Sequence, residues 1–271
     1  MANVPKRVAE RLNKAVKRFQ PILTNARSRD DGEADTVMIV TDMLQEVFGY
    51  DKYSDLTAEY AIRSTFCDLA IKIDGTLQKL IEVKAIGLDL KDNHVRQAID
   101  YAANQGVDWV ILTNGVNWRV YKVIFAKPID QELVLEVDFC KLNPRSEKDL
   151  EALFLLSKEG LAKSVLGDFH EQRQALSRFF LAAMVQSPTV LAVIRRELQR
   201  VSPGVRIDVD EIERVLTTEV IKREVLEGDK ADHARRRIRQ TADRPLRAKR
   251  EGDGAADAGK GDDGASPKAA E

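Results

Sequence analysis

The sequence predicts an α/β protein in which one mixed sheet is flanked by helices and followed by a helical appendage. Three observations carry this. Alternating β-like stretches near 56–63, 66–73 and 77–86 stand between two helical apolar stripes, at about 33–48 and 92–104. Strand patterns return at 107–112, 117–124 and 133–139, and after Pro144 only helical periodicity remains. The order from residue 33 is therefore helix, three strands, helix, strand and an added hairpin.

At the start, Val8, Leu12, Val16 and Phe19 form one stripe, which predicts a short helix over 5–19 that ends at Pro21. Val37, Val40, Leu44 and Val47 mark the next helix, with Gly49 placed to stop it; extending the stripe backward reaches Glu33. The second and third strand stretches are joined through Asp74-Gly75, a strong turn signal. Val95, Ala98, Ile99 and Ala102 then make a helix with Gly106 as its stop, and Thr113-Asn114-Gly115 turns one strand into the next. Helices are expected near 147–164, 168–186, 188–200 and 208–227, with Ser202-Pro203-Gly204 breaking the last pair.

This pattern divides the 271 residues into an N-terminal helix and loop (1–30), the α/β domain (31–144), the helical appendage (145–228) and a disordered tail, basic then acidic (229–271). The net charge of −1 conceals the basic part of that tail: nine Lys or Arg lie in 230–250, among them Arg235, Arg236, Arg237 and Arg239. Such a run reads either as an electrostatic footprint for nucleic acid or as a solvated tail. No window approaches a membrane span and the basic start precedes no apolar signal core, so a cytoplasmic protein without a membrane partner is expected. Cys67 and Cys140 lack metal-ligand spacing and read as reduced buried thiols. Trp109, Trp118, Tyr121 and Phe125 lie in or beside strands, where core packing is the better reading. No phosphate-binding Gly-rich loop occurs, so any nucleotide-driven motor would be another protein.

Chemistry concentrates in two adjacent strands. Phe66-Cys67-Asp68-Leu69-Ala70-Ile71 leads through the turn to Leu80-Ile81-Glu82-Val83-Lys84-Ala85. Two carboxylates, Asp68 and Glu82, suit a hard Mg²⁺ ion that keeps several waters and leaves room for a phosphate. A metal-bound water ionises more easily. Lys84 shares the Glu82 face by strand alternation and is placed to orient that water and offset developing charge. The competing reading makes Glu82 and Lys84 the polar half of an alternating strand and Asp68 incidental. Strand parity separates the two. A regular two-residue turn at Asp74-Gly75 would set Asp68 opposite Ile81 and leave Asp68 and Glu82 on opposite faces, so a three-residue or bulged turn is expected if the site exists.

Asp68 followed by Glu82-Val83-Lys84 resembles the PD-(D/E)XK nuclease superfamily. More narrowly, Gly32-Glu33-Ala34-Asp35-Thr36, Gly49-Tyr50-Asp51, these strands, Gln97-Ala98-Ile99-Asp100-Tyr101 and Leu112-Thr113-Asn114-Gly115 resemble, in order, the N-terminal nuclease domain of type I restriction enzyme R subunits. The resemblance spans roughly residues 30–140 and implies a restriction-endonuclease-like sheet. It implies Asp68, Glu82 and Lys84 as catalytic residues, with Asp68, Glu82 and Glu33 at the metal and Gln97 and Tyr101 accessory on the next helix. Cys67 stands where Pro often precedes the strand Asp.

Asp30 followed by Glu33 also fits a helix capping box, which gives Glu33 a local alternative role. Gln97 and Tyr101 share one helical face, suited to the phosphate backbone or to a half-buried rim.

The expected function is Mg²⁺-dependent hydrolysis of DNA phosphodiester bonds, with Mn²⁺ as a substitute metal, in restriction or defence. RNA stays open as a substrate, as does oligomeric state. Gln97 and Arg235, Arg236, Arg237 and Arg239 are the expected nucleic-acid contacts, and a motor or specificity protein the expected partner. The alternative is a non-cleaving nucleic-acid-binding or assembly module that recruits such a partner.

Overall fold

The computed structural model describes residues 4–62 and 65–242. The chain divides into two compact units, Met1–Ala175 and Leu176–Glu271.

The first unit is built on one six-stranded mixed sheet flanked by helices, the architecture expected from the alternating patterns. Its strands are β1 (Leu56–Ile62), β2 (Thr65–Ile73), β3 (Thr76–Val83), β4 (Trp109–Thr113), β5 (Asn117–Ile124) and β6 (Asp130–Asp138). They lie side by side in chain order. Only β3 and β4 run parallel. A parallel pair needs a crossover, and α3 (Arg96–Gln105) supplies it.

The two faces of the sheet bury two apolar clusters. Leu69, Ile71, Ile81, Val83, Ile111 and Val120 face α1 (Lys6–Ser28), α2 (Glu33–Glu46) and the helices α4 (Glu147–Phe154), α5 (Lys158–Ala162) and α6 (Val165–Ala175). Ala70, Leu80, Val110, Leu112 and Tyr121 pack with Ala98, Ile99 and Ala102 of α3. Alternate strand residues thus sort to opposite cores, as the period-two pattern requires.

One helix boundary differs from expectation. α1 does not end at Pro21 but runs on to Ser28, with Pro21 inside it. Proline costs a helix one backbone donor, but the apolar stripe continues through Leu23 and Ala26, both fully buried. The amide of Gln20 also ties this turn to the carbonyls of Phe139, Cys140 and Leu142. Tertiary packing outweighs the local break.

The second unit holds α7 (Arg178–Val185), α8 (Pro188–Val201), α9 (Val209–Val215), a π-helical turn at Leu216–Val220, α10 (Arg223–Leu226) and α11 (Asp229–Ala242). The expected disorder of 229–271 is wrong for its first fourteen residues, which form α11. Their dense charge hid a narrow apolar seam: Ala231 and Ala234 are buried, and the ring of Phe180 in α7 lies edge-on to His233 and beneath the Arg237 guanidinium. The remainder of that tail lies outside the described residues. Among the described residues no single helix is long and apolar enough to cross a membrane.

Candidate active site

The decisive local feature is the β2–β3 hairpin. Its turn is a two-residue one, with Ile73 opposite Thr76 and both Asp74 and Gly75 at positive φ (49° and 77°), the backbone that an Asp-Gly pair favours. The pairing then shifts by one residue: Lys72 faces Leu77, but Ile71 faces Lys79. Gln78 is therefore an extra residue in β3, a β-bulge. Beyond it Leu69 faces Ile81, the last pair of the ladder, so Asp68 stands one residue past that pair, beside Glu82 rather than opposite Ile81. The expected irregularity is present, but in the ladder rather than in the turn.

Glu82 lies in phase with Leu80 on the sheet face that packs on α3, and Asp68 joins it at the same end of the hairpin. Asp68 Oδ2 accepts a hydrogen bond of 2.7 Å from the Val83 amide, which ties the two strands together at the site. Lys84 follows the last residue of β3, and its amide donates to Thr113 O of β4 at 2.8 Å, so its backbone is still held by the sheet. Lys84 Nζ lies 2.7 Å from Glu82 Oε1 and 3.4 Å from Glu33 Oε2.

Glu33 is the first residue of α2, whose N-cap is Gly32 without a side-chain cap bond. The capping-box alternative is thus not formed; Glu33 reaches across to Lys84 instead.

Electrostatics follow from this partial burial. Desolvation pushes the Asp68 carboxyl above its usual range, opposed by the Val83 amide and the Lys84 charge. Glu82 is also pushed up, by desolvation first, against its bond to Lys84, with the nearby Asp68 and Glu33 charges adding to the rise. Burial alone would lower Lys84, but Glu82, Glu33 and Asp68 together hold it above its ordinary value. Two carboxylates crowded in a half-buried site, with one ammonium among them, favour added positive charge.

That donor set fits a hard divalent cation bound through two protein carboxylates with water completing its shell. Among the described residues no group of three or more His, Cys, Asp or Glu is assembled for a metal. Glu33 meets Glu82 through Lys84.

The accessory residues divide. Gln97 Nε2 donates to Tyr101 Oη at 2.9 Å, so the two form one unit along α3, with Tyr101 packed against the core of that face. Arg235, Arg236, Arg237 and Arg239 lie on α11 in the second unit. Arg235 is held by Asp232 and by the Leu226 carbonyl, whereas Arg236 and Arg239 are exposed. Trp118 and Tyr121 are core residues as expected, but Phe125 is 54% exposed just beyond the end of β5.

Sequence reasoning missed the residues that brace the segment after Lys84. Asn114 Nδ2 donates to the carbonyls of Ile86 and Leu88, at 3.3 and 2.9 Å, while its Oδ1 accepts from the Val116 and Asn117 amides. Arg119 Nη1 donates to Leu90 O at 2.7 Å, and Tyr121 Oη to Asp92 Oδ1 at 2.9 Å. Thr113-Asn114-Gly115 signalled a turn, but nothing in the pattern told that Asn114 spans to a loop about 28 residues earlier. Gly115 has φ 79°, and a Cβ there would sit 3.1 Å from Leu23 Cδ2 of α1. Glycine fits both the turn and the packed helix.

Residues 39–133 match the family described as type I restriction enzyme R protein N terminus (HSDR_N). This stretch resembles the N-terminal region of type I R subunits. The R-subunit match takes in Asp68, Glu82, Lys84, Gln97, Tyr101 and Asn114. Glu33 and the helices after β6 lie outside it. No curated protein and no solved structure matches the chain.

Proposed function

We propose that the first unit is a restriction-endonuclease-like nuclease of the PD-(D/E)XK type that hydrolyses DNA phosphodiester bonds with Mg²⁺. The observation that carries this reading is that Asp68, Glu82 and Lys84 gather at one end of the β2–β3 hairpin, with Asp68 Oδ2 2.7 Å from the Val83 amide and Lys84 Nζ 2.7 Å from Glu82 Oε1.

In this reading Asp68 and Glu82 hold the cation. When bound, Mg²⁺ supplies Lewis acidity to the scissile phosphate and acidifies its water. Asp68 is oriented by the Val83 amide, which fixes one oxygen and leaves the other for the ligand. Lys84, 2.7 Å from Glu82, would keep its ammonium beside the scissile phosphate, where it would offset developing negative charge. Glu33 keeps Lys84 charged and within reach. Gln97 and Tyr101 contact the phosphate backbone from α3.

The Lys84 ion pairs with Glu82 and Glu33 favour a second reading, a nuclease held in a neutralised state until a motor or specificity subunit and DNA engage it. One assay addresses both. Supercoiled and linear DNA and RNA are incubated with wild type, Asp68→Ala and Lys84→Ala in Mg²⁺, Mn²⁺ or EDTA, with and without translocating R-type and specificity subunits. Metal-dependent cleavage by wild type alone supports the first reading, and cleavage only with partners the second. Equal cleavage by the variants, or none in any arm, removes the catalytic assignment.

A further inference from the structure

The opposite end of β3 carries a feature that nuclease chemistry does not use. Lys79 is entirely buried, and its Nζ is the single buried side-chain nitrogen or oxygen without a hydrogen-bond partner among the described residues. Buried polar groups are almost always satisfied, and an isolated ammonium in an apolar interior is among the costliest exceptions.

Lys79 lines a cavity of about 420 Å³ within the first unit. One wall is Leu77, Gln78 and Lys79 of β3 with Val107, Asp108 and Trp109 at the start of β4. The other comes from α5, α6 and the turn between them, including Leu161, Ser164, Leu166 and Glu171. Its volume is that of a small-molecule site. The other lysine of the lining is already committed: Lys122 Nζ lies 2.9 Å from Asp108 Oδ2 and 4.8 Å from the Trp109 ring centroid. Lys79 brings a buried charge with no bonded counterpart. Asp108 lies against Lys122, Glu171 is an exposed residue, and His170, beside the cavity, bonds Glu132.

We propose that this cavity is a binding site for a small free oxyanion, a carboxylate or phosphate compound, whose charge is met by Lys79 once its Nζ, sealed beneath the wall in the empty site, turns into the cavity. The ligand supplies the acceptor that the protein does not, and a compact anion suits a space roofed by Leu161 and Leu166 and floored by the bulged start of β3. Burial also pushes the Lys79 amine down to about 8, which leaves it largely protonated at neutral pH and in want of a partner. The site lies at the other end of β3 from Glu82 and Lys84, and does not depend on the nuclease reading.

The test is thermal unfolding of the full chain with inorganic phosphate or acetate, against chloride at matched ionic strength. Wild type is compared with Lys79→Met, Lys79→Gln and Lys84→Ala. Preferential binding to the folded state raises the melting temperature, so phosphate or acetate raises it by a few degrees in wild type and Lys84→Ala. The rise disappears in whichever Lys79 variant folds. Phosphate alone acting assigns a phosphate compound, and acetate alone a carboxylate. The proposal is overturned if neither anion shifts wild type, if the Lys79 variants shift equally, or if the effect is lost in Lys84→Ala.

Discussion

At the residue scale, Asp68, Lys84 and Lys79 make different demands on the fold. Asp68→Asn keeps an oxygen to accept the Val83 amide but loses the charge that would hold a cation. It should fold normally by circular dichroism and show no metal-dependent cleavage. Lys84→Met leaves Glu82 and Glu33 without their cation. Plasmid nicking should fall by roughly 10²–10³-fold if Lys84 stabilises developing charge. Lys79 is a liability when its cavity is empty. Its amine titrates near 8 in the folded chain because burial disfavours the ammonium, against an ordinary 10.5. The unfolded chain therefore binds the extra proton between these values, and wild-type stability rises with pH across that window. In chloride buffer Lys79→Met should be more stable by about 3 kcal/mol below pH 8, with the gain shrinking between pH 8 and 10.5 and gone above it. Urea denaturation at about pH 7 and about pH 10 reads both.

At the element scale, the hairpin and the Asn114 turn decide where chemistry sits. Removing Gln78, the unpaired residue of β3, leaves a regular two-residue hairpin that keeps Leu69 opposite Ile81 and so keeps Asp68 beside Glu82. The deletion should therefore retain metal-dependent cleavage, and the unchanged Leu69–Ile81 pairing can be read from cross-strand NMR contacts between β2 and β3. Asn114→Ala strips two carbonyls and two amides of their partner. Unsatisfied buried groups cost about 1–3 kcal/mol, a shift in denaturant midpoint that Asn114→Asp would restore only in part, since a carboxylate cannot donate to Ile86 and Leu88.

Much of this scale was legible in advance. Strand alternation and Gly stops placed β1 to β6 and α3 closely, and parity alone showed that the Asp68–Glu82 pairing required an extra residue. Parity could not say where the extra residue would lie, because a turn insertion and a ladder bulge have the same sequence length. Pro21 misled because local propensity carries no knowledge of the core waiting for Leu23 and Ala26. Lys79 was invisible for the same reason: its cover comes from α5 and α6, far along the chain.

At the scale of the whole molecule, the two units set separate experiments. If the exposed Arg236 and Arg239 of α11 meet phosphates, replacing both with Gln should weaken DNA binding evenly across sequences. The slope of log affinity against log salt should drop by about 2. The first unit, by contrast, is closed by its ends. Arg11 of α1 makes paired bonds of 2.6 and 2.7 Å to Glu159, Tyr50 donates to the Leu156 carbonyl, and Lys158 meets Asp55. Residues 31–144 expressed alone should therefore stay unfolded, whereas 1–175 should give a cooperative melt. The span from Arg11 to Glu159, 148 residues, also has a meaning in time. At cellular synthesis rates α1 waits on the order of ten seconds for the segment that covers it. Through that interval Leu12, Val16, Phe19 and Leu23 form a greasy stripe on the nascent chain, and α1 is the segment that a ribosome-associated chaperone would grip.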